Sequence, residues 1–446
     1  MTDIELQENP PAPPPQGQSA AGSSEEIPRL AEHLFRHEAG KLVSILTGIF
    51  GIERLQLAED VVQEALVRAL QTWPYYGVPK NPAAWLTQTA KNLTLDVLRR
   101  EKVFRDKEAQ IAPVVEQWSS SLEAPGGRSV DSELKDDGLR LMFVCCHPSI
   151  PQEAQAALAL KTLCGFSPAE IASAFLSTEA AIAKRLTRAR QRIRDLSIPF
   201  EIPPDPDLTA RLDGVLQTIY LLFNEGYKAS SGESLVRQEL CSEAIRLASL
   251  LAEHRVGNQP RTHALLALML LNAARLTERV DLDGNLLRLK DQDRTKWDQS
   301  LIARGMFHLS QSAAGDVVTV YHFEAAIAAC HCAAPTYEAT DWPQILSLYD
   351  RLVELDDSPV IALNRAVAVA QVHGPEAGIE VAQELEKGRQ LDSYHLLYAV
   401  LGEFEAQLNE FQKAIMYLRK ALELTQLKSE QSLLARRLQH CQEQVR

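Results

Sequence analysis

Apolar residues recur at helical spacing along most of the chain, with only short interruptions between the periodic segments. Within residues 26–101 the pattern predicts one helix beginning around Leu30–Leu42, a second over Leu57–Leu70 and a third over Pro82–Arg100. A further helical block runs from Gly138 to Asp195, and the long remainder of the chain is also predicted to be helical. The expected fold class is therefore all-α.

Segments without this periodicity divide the helical blocks. The N-terminal segment is rich in Pro, Gln, Ser and Gly, and it carries too little apolar surface to offset the entropy of ordering. Pro199 and the prolines within 201–207 mark another boundary, because paired prolines cannot continue a helix. The sequence predicts a disordered tail (1–25), a helical domain (26–101), a flexible linker (102–137), a second helical domain (138–198) and a helical C-terminal domain (199–446).

The C-terminal domain contains short breaks and a weak repeat. Breaks are predicted at Lys228–Glu233, Gly257–Pro260 and Val280–Asp293, and the last of these contains an Asp-Gly pair typical of a small hairpin. Small and large residues within Ala399–Leu424 follow the spacing of a tetratricopeptide helix pair, and a less regular version begins at Asp341. We therefore predict two or three stacked helical hairpins near residues 341–425.

Residues 165–195 predict a helix-turn-helix. Ser167 is suited to the N-cap, Pro168 to the first helical position, and Glu170 completes a capping box. After this short helix and a turn at residues 176–178, a second helix is expected from Glu179 to about Arg194. Its residues 184–194 carry six basic side chains and no acid, which is typical either of a DNA-recognition helix or of a solvated basic face.

Charge is distributed unevenly along the chain. The 446 residues carry a formal net charge of −13, which by itself argues against binding to nucleic acid. Residues 1–200 account for a net −3 and residues 201–446 for −10, so the excess acid is mostly C-terminal. Residues 80–107 carry a net +4 and form a second basic segment beside residues 184–194. Two short parts of the N-terminal half thus remain suited to DNA.

Two further motifs lie in the first helical block. Ala58–Leu70 reads AEDVVQEALVRAL, and Ala84–Arg100 reads AWLTQTAKNLTLDVLRR. With the helix-turn-helix and its basic tail, these motifs resemble the bacterial extracytoplasmic-function sigma factors, small members of the sigma-70 family. The similarity covers roughly residues 27–200. The longer remainder is similar to a subgroup that carries a tetratricopeptide-like C-terminal extension, a likeness shared by Asp137–Pro148, Phe223–Tyr227 and Asp341-Trp342.

The resemblance implies that the chain directs core RNA polymerase to promoters. In this family the AEDxVQE helix docks on the clamp helices of the polymerase β′ subunit. Asp60, Gln63 and Glu64 lie at positions i, i+3 and i+4 and would share the docking face. Without the resemblance, an ordinary solvated acidic face would be the preferred interpretation.

The resemblance also implies contacts with the −10 and −35 promoter elements. Opening the −10 element requires aromatic platforms beside a cationic track. The candidates there are Trp73, Tyr75, Tyr76, Lys91, Asn92, Arg99, Arg100 and Lys102. For the −35 element, the candidates facing bases are Thr178, Glu179, Ala181, Lys184 and Arg185, and those facing phosphates are Arg188, Arg190 and Arg192.

No motif supports catalysis, a metal or a cofactor. Cys145-Cys146-His147 and Cys330-His331-Cys332 lack the spacing of a structural zinc site, and Asp281–Asn285 lacks the later ligands of a calcium loop. The seven cysteines contain no C-x-x-C pair and are expected to be reduced. The longest apolar run, Ala264–Leu271, is much shorter than the roughly 20 residues of a membrane span, so we predict a cytoplasmic protein without a membrane partner.

Three hypotheses follow for the C-terminal domain and the whole chain. In the first, the chain is a sigma factor whose acidic C-terminal domain regulates it, either by masking the basic DNA-binding faces or by binding a protein partner. Truncation after about residue 205 should then change promoter activity. In the second, the chain is a tetratricopeptide-like scaffold or a dimeric helix-turn-helix repressor that acts without polymerase. The third, an enzyme in the C-terminal half, has no motif in its favour.

Overall fold

The structure is almost entirely helical in the parts of the chain that it describes. It is a computed structural model, and it describes residues 39–48, 50–100, 130–175, 177–201, 205–228, 237–255, 257–281, 285–425 and 427–445. Within these ranges the β interaction is one antiparallel bridge between Val280 and Leu286, at the predicted hairpin. The expected all-α fold class is confirmed. The predicted tail 1–25 and residues 101–129 of the predicted linker lie outside the described residues.

The N-terminal unit comprises residues 39–100. It contains α1 (39–48), a 3-10 turn (Ile52–Arg54), α2 (Leu55–Tyr76) and α3 (Pro82–Arg100). The buried face of α2 repeats small and branched residues at helical spacing, among them Ala58, Val62, Ala65 and Ala69. Helix α2 is longer than predicted, because Pro74 is accommodated in its last turn and the helix ends only at Gly77, where φ is 82°.

The helix-turn-helix unit comprises residues 130–201. It contains α4 (Val130–Cys145), α5 (Gln152–Cys164), α6 (Pro168–Ala174) and α7 (Glu179–Leu196). The capping box at α6 is confirmed, since the Glu170 backbone N–H donates to Ser167 Oγ at 3.2 Å and the Ser167 N–H donates to Glu170 Oε2 at 2.9 Å. The predicted second helix of the motif is α7. Helix α4 begins at Val130, earlier than the predicted start at Gly138.

The C-terminal extension comprises residues 205–445. Its first part contains α8 (Asp205–Tyr227), α9 (Gln238–Glu253), α10 (Pro260–Ala273) and α11 (Gln299–Ser312). The second part contains α12 (Val320–Ala333), α13 (Trp342–Leu355), α14 (Pro359–His373), α15 (Pro375–Lys387), α16 (His395–Gln407), α17 (Phe411–Leu424) and α18 (Lys428–Val445). Short connections join successive helices from α13 onward, as the predicted hairpins require.

Close packing explains the repeat at the end of the chain. A Cβ at Gly402 in α16 would lie 2.9 Å from Leu418 Cγ in α17, so the two helices approach more closely than a larger residue allows. Leu401, Ala414 and Ala421 are buried at the same contact. Small residues at this contact allow α16 and α17 to pack closely.

One continuous hydrophobic core joins the N-terminal unit, the helix-turn-helix unit and the first part of the extension. Leu46, Ile182 and Leu216 belong to this one core, although they come from three segments of the chain. The predicted break after Pro199 is present between α7 and α8, yet α8 packs back on α4 and α5. A Cβ at Gly40 in α1 would collide with the Leu163 carbonyl oxygen in α5, so these two helices are in close contact. The two N-terminal units and the first part of the extension therefore pack closely on one another, while the later helices form further core clusters.

Candidate functional site

The predicted polymerase-docking face lies on the solvent side of α2. Asp60, Gln63 and Glu64 are all exposed and share one helix face, as their spacing predicts. Their hydrogen bonds stay within the helix: Gln56 Nε2 donates to Asp60 Oδ1 at 2.8 Å, and Arg68 Nε donates to Glu64 Oε1 at 3.1 Å. Such exposed pairs are weak and leave the face available to a partner.

Two apolar residues on the same side of α2 were missed by the sequence argument. Val67 is 45% exposed and Leu70 is 44% exposed, next to the polar triplet along the helix. In the sequence they look like ordinary members of the apolar repeat. Exposed apolar side chains rimmed by polar ones are typical of a protein interface. The candidate docking face is therefore Asp60, Gln63, Glu64, Val67 and Leu70.

The candidate aromatic platforms separate into one core residue and two surface residues. Trp73 is 1% exposed and packs edge-to-face against Trp85, with ring centroids 5.6 Å apart. In this conformation it supports α2 and α3 and is not available to a base. Tyr75 and Tyr76 are 84% and 83% exposed, at the end of α2 just before Gly77. Of the three candidate aromatics, Tyr75 and Tyr76 are therefore the two that are available for stacking.

The polar candidates on α3 are described only in part. Lys91 is half-buried, and Asn92 is exposed with its Oδ1 accepting a 3.1 Å hydrogen bond from Gln88 Nε2. Arg99 and Arg100 belong to the last turn of α3, but their side chains are not described. Lys102 lies outside the described residues. The structure therefore places Asn92 on the surface of α3 and leaves the basic end of the helix undetermined.

The start of α7 is built by a side-chain cap. Thr178 Oγ1 accepts a 3.3 Å hydrogen bond from the Ala181 backbone N–H, so the predicted base-facing Thr178 is the N-cap of this helix. Glu179 is exposed beside it, and Ala181 is half-buried. Lys184, Arg188 and Arg192 follow at intervals of four residues, and all three are exposed. We call these three side chains the basic stripe.

The two other predicted arginines of α7 are held in ion pairs. Arg185 Nη2 lies 2.8 Å from Glu153 Oε2 of α5, in a pair at the surface. Arg190 Nη2 lies 2.7 Å from Glu59 Oε2 of α2, where the two side chains are 15% and 6% exposed. The second pair joins the N-terminal unit to the recognition helix. Arg190 was predicted to face phosphate, and in this conformation it faces a carboxylate instead.

Burial of the Glu59–Arg190 pair carries a desolvation cost for both charged side chains. Burial raises the pKa of Glu59, and the nearby Arg190 guanidinium offsets part of that rise. Glu59 Oε1 and Arg190 Nε are both buried with no hydrogen-bond partner. A buried pair with unsatisfied atoms adds little to net stability, but removal of one partner leaves the other charge uncompensated. Loss of either partner should therefore destabilise the arrangement in which α2 and α7 are in contact.

The C-terminal extension contacts the helix-turn-helix unit at α6. Arg237 Nη1, at the start of α9, lies 3.0 Å from Glu170 Oε1 in α6 and 3.4 Å from Glu225 Oε1 in α8. Glu225 belongs to the Phe223–Tyr227 motif, which therefore contacts the helix-turn-helix unit through Arg237. Gly226 of the same motif lies in the last turn of α8, where a Cβ would meet the Cys241 backbone nitrogen at 2.7 Å.

The expected masking of the basic faces by C-terminal acids is not seen in the part of the chain that the structure describes. There, the acids that pair with cations of α7 are Glu59 and Glu153, and both precede the extension. In the Arg237–Glu170 ion pair, the extension contributes the cation and the helix-turn-helix unit contributes the acid. The extension contacts α6 of this unit, and the basic stripe on α7 stays exposed.

The cysteine clusters are packing residues in this structure. Cys145 and Cys146 are fully buried, and burial raises the pKa of the Cys145 thiol to about 12. Cys332 Sγ donates to the Leu271 carbonyl oxygen at 3.5 Å. Among the described residues, no group of three or more His, Cys, Asp or Glu side chains has a metal-binding arrangement. Nor does any helix in those residues have an apolar stretch long enough to cross a bilayer.

Family comparisons agree with the order of these units. The sigma-70 region 2 family matches residues 34–103, and the sigma-70 region 4 family matches residues 140–193. The probable RNA polymerase sigma factor RfaY of Xanthomonas campestris pv. campestris is 28% identical over 140 residues, 31% of this chain and 33% of that protein. The ECF RNA polymerase sigma factor EcfG of Rhodopseudomonas palustris is 26% identical over 140 residues, 31% of this chain and 70% of that protein. This chain belongs to the extracytoplasmic-function sigma factors.

The similarity extends beyond the two sigma regions. The uncharacterized protein R00370 of Rhizobium meliloti is 38% identical over 390 residues, which cover 86% of this sigma factor and 90% of that protein. A family of unknown function, DUF6596, matches residues 211–313, from α8 to α11. No solved structure matches the chain. The sigma factor therefore has a C-terminal extension, shared with a relative of similar length, in addition to its two sigma regions.

Membership of this family identifies the partners in general terms. Sigma factors initiate transcription with core RNA polymerase at promoter DNA, and they are not enzymes. The acidic total of the chain does not conflict with this role, because the basic stripe is exposed while the excess acid is carried by the extension.

Proposed function

We propose that this sigma factor is closed when free and is opened when it binds core polymerase and a promoter. The observation that carries the proposal is the 2.7 Å contact between Glu59 in α2 and Arg190 in α7. The −10 and −35 elements are about 25 base pairs apart, or about 85 Å along B-DNA at 3.4 Å per step. Two units in direct contact cannot reach both elements, so binding of both requires the contact to break.

The exposed face of α2 is the proposed docking surface for the clamp helices of the polymerase β′ subunit. Asp60 and Glu64 supply negative charge at its edge, while Val67 and Leu70 supply apolar area at its centre. This combination fits a partner helix that carries basic residues around an apolar strip. Docking here does not require the Glu59–Arg190 contact to break, because Glu59 faces the interior of the closed body.

Promoter reading is assigned to two surfaces. The basic stripe on α7 is the proposed phosphate-contacting edge of the −35 reader, with Glu179 and the start of the helix towards the bases. Tyr75 and Tyr76 are the proposed stacking surfaces for the unpaired strand at the −10 element. Opening would add Arg190 to the cationic surface of α7, because Arg190 is neutralised only in the closed form.

The regulatory role of the extension is proposed to act through the helix-turn-helix unit. Leu212, Leu216 and Ile219 of α8 belong to the core shared with α4 and α5, and Arg237 fixes α6 through Glu170. A change in the extension would therefore alter the position or stability of the recognition helix. Truncation after residue 205 would also expose this core, so a point variant in the full chain is the sharper test.

The proposal is tested by run-off transcription from genomic fragments of the bacterium that encodes the protein, with and without core polymerase. We expect new transcripts only when the sigma factor and core polymerase are both present. Arg237→Gln should change their yield, whereas Lys387→Gln should not, since the exposed Lys387 pairs with Glu384 in the same helix at 2.7 Å.

Two outcomes would contradict the proposal. Stable binding to duplex promoter DNA in a gel shift without polymerase would favour a helix-turn-helix repressor. Equal transcript yields from the wild type and the Arg237→Gln variant would remove the proposed regulatory route through α6, while leaving the role in initiation intact.

A further inference from the structure

A cavity lies inside the C-terminal extension, away from every surface assigned to polymerase or DNA. It encloses about 340 Å³ between α8, α10, α12, α13 and α14. Tyr220, Phe223 and Tyr349 contribute aromatic wall area, and the motif Phe223–Tyr227 lines one side. Small-molecule sites are typically concave, largely apolar and about 300–1,000 Å³ in volume, with a few polar groups that converge inside. The cavity has the size and the walls of such a site.

Four polar atoms of the cavity walls are buried without a hydrogen-bond partner. They are Tyr227 Oη, Trp297 Nε1, Glu324 Oε2 and His331 Nδ1. A buried polar group without a partner destabilises the fold, so four around one space are unfavourable unless a guest satisfies them. Two of these groups are natural donors, the phenol of Tyr227 and the indole of Trp297. The other two offer a carboxyl oxygen and a ring nitrogen.

The charge in the cavity favours an anionic guest. Arg275 lines the wall with its guanidinium 5.6 Å from the Tyr227 ring centroid, and it forms no ion pair among the described residues. Glu324 is the acidic group of the wall, and Tyr220 Oη donates to its Oε1 at 3.3 Å. Burial raises the pKa of Glu324 to about 7, so near neutral pH this carboxyl is only partly ionised.

His331 adds an uncharged polar atom to the same wall. Burial, together with Arg275 and Arg294, lowers the pKa of His331 to about 3, so its ring is neutral near pH 7. A neutral ring can donate or accept at Nδ1, depending on its tautomer. His331 and Glu324 can therefore form hydrogen bonds with hydroxyl or amino groups of a guest. Arg275, the Tyr227 hydroxyl and the Trp297 indole can instead bind an acidic group of the guest.

We propose that this cavity binds a small organic acid that also carries hydroxyl or amino groups. The acidic group pairs with Arg275 and accepts from Tyr227 and Trp297, and the hydroxyl or amino group meets Glu324 and His331. The cavity touches α8, which packs on α4 and α5, so an occupant would stiffen the helix that supports the recognition unit. The binding proposal rests on the cavity alone and does not depend on the closed form described above.

The test is a thermal-shift titration of the free full-length protein at pH 7. The probes are L-malate, citrate and L-glutamate, with succinate as an acid that lacks hydroxyl and amino groups, and glycerol and putrescine as neutral and cationic controls. We expect at least one of the first three to raise Tm in a saturable manner, because a ligand that binds only the folded state stabilises it. The three controls should produce smaller shifts.

Variants distinguish a binding site from a packing defect. Arg275→Gln should weaken binding by tenfold or more, and Arg351→Gln, at an exposed position of α13, should leave it unchanged. Tyr227→Phe keeps the ring and removes only the unpartnered hydroxyl. It should therefore weaken binding several-fold while the Tm of the ligand-free protein stays equal or rises. A merely structural hydroxyl would not affect the titration.

Three results would overturn the proposal. It fails if none of the three probes shifts Tm, if putrescine alone does so, or if Arg275→Gln leaves the titration curves unchanged. A shift by succinate equal to that of L-malate would overturn the assignment of the hydroxyl or amino group. Because the assay contains neither polymerase nor DNA, none of these results bears on the proposed function.

Discussion

Replacement of Glu59 by Gln is the most direct way to weaken the closed form. Gln keeps the size of the side chain but removes the charge that compensates Arg190, whose Nη2 lies 2.7 Å from the carboxylate. Removing one member of a buried pair costs about 3–5 kcal/mol, because the remaining charge is left buried and unpaired. Burial already raises the pKa of Glu59, so the substitution also relieves part of its desolvation cost. We therefore take the lower limit, about 3 kcal/mol.

This free energy acts on the closed form alone, since Arg190 is solvated once the units separate. A change of about 3 kcal/mol shifts the ratio of closed to open molecules roughly 100-fold. Small-angle X-ray scattering should then record a larger radius of gyration for Glu59→Gln than for the wild type. In transcription, the variant should reach half-maximal yield at a lower concentration, because less free energy is spent on opening.

The matched control is Glu153→Gln, which breaks the surface pair with Arg185. That pair lies within the helix-turn-helix unit and Glu153 is 69% exposed, so its loss should cost well under about 1 kcal/mol. It should change neither the scattering nor the transcription titration. If Glu59→Gln lowers Tm but gives the same scattering curve and the same titration as the wild type, the pair only stabilises the fold and the opening model is refuted.

Four other predictions follow from the described contacts. Arg188→Gln should weaken promoter binding by the holoenzyme and reduce the salt dependence of log K by about 0.9, the value for one phosphate contact; an unchanged slope would remove Arg188 from the DNA surface. Tyr75→Ala and Tyr76→Ala should each cost about 1–3 kcal/mol in open-complex formation, measured by permanganate footprinting, with Tm unaffected because both are exposed. Arg237→Gln should lower Tm, because it removes a cation that lies within 3.4 Å of two largely buried carboxylates; calorimetry at pH 7 tests this, and an unchanged Tm would contradict it. Glu324→Gln should raise stability above pH 7 by about 3 kcal/mol, since a pKa raised from 4.5 to about 7 costs that amount once the carboxyl ionises in both states. The gain should vanish below pH 4.5, where both states are protonated; a gain that does not depend on pH would refute the assignment.

The helical elements of the sigma regions followed from the sequence because local chemistry determines them. The capping box at Ser167 and Glu170, and the start of α7 at Glu179, depend on side chains within a few residues of each other. The shared helix face of Asp60, Gln63 and Glu64 follows from helical periodicity in the same way. Such features need no knowledge of distant parts of the chain.

Pairings between distant segments could not be predicted from periodicity. Glu59 was part of a surface motif in the sequence, and only the approach of α7 makes it the buried partner of Arg190, 131 positions later. Trp73 looked like a platform for bases, but the packing of α2 on α3 places it in the core. Val67 and Leu70 were assigned to the apolar repeat, because a one-dimensional pattern does not define which side of the helix is covered.

The sequence by itself determined the helices, the order of the two sigma regions and the uneven distribution of charge, since each depends on residue type and local spacing. The tertiary structure alone decided which cations of α7 remain available, that the extension contacts α6 through Arg237, and that Arg275 and Glu324 line one cavity. The reason is that burial and ion pairing depend on distances in space, and residues far apart in the chain come close only after the helices pack.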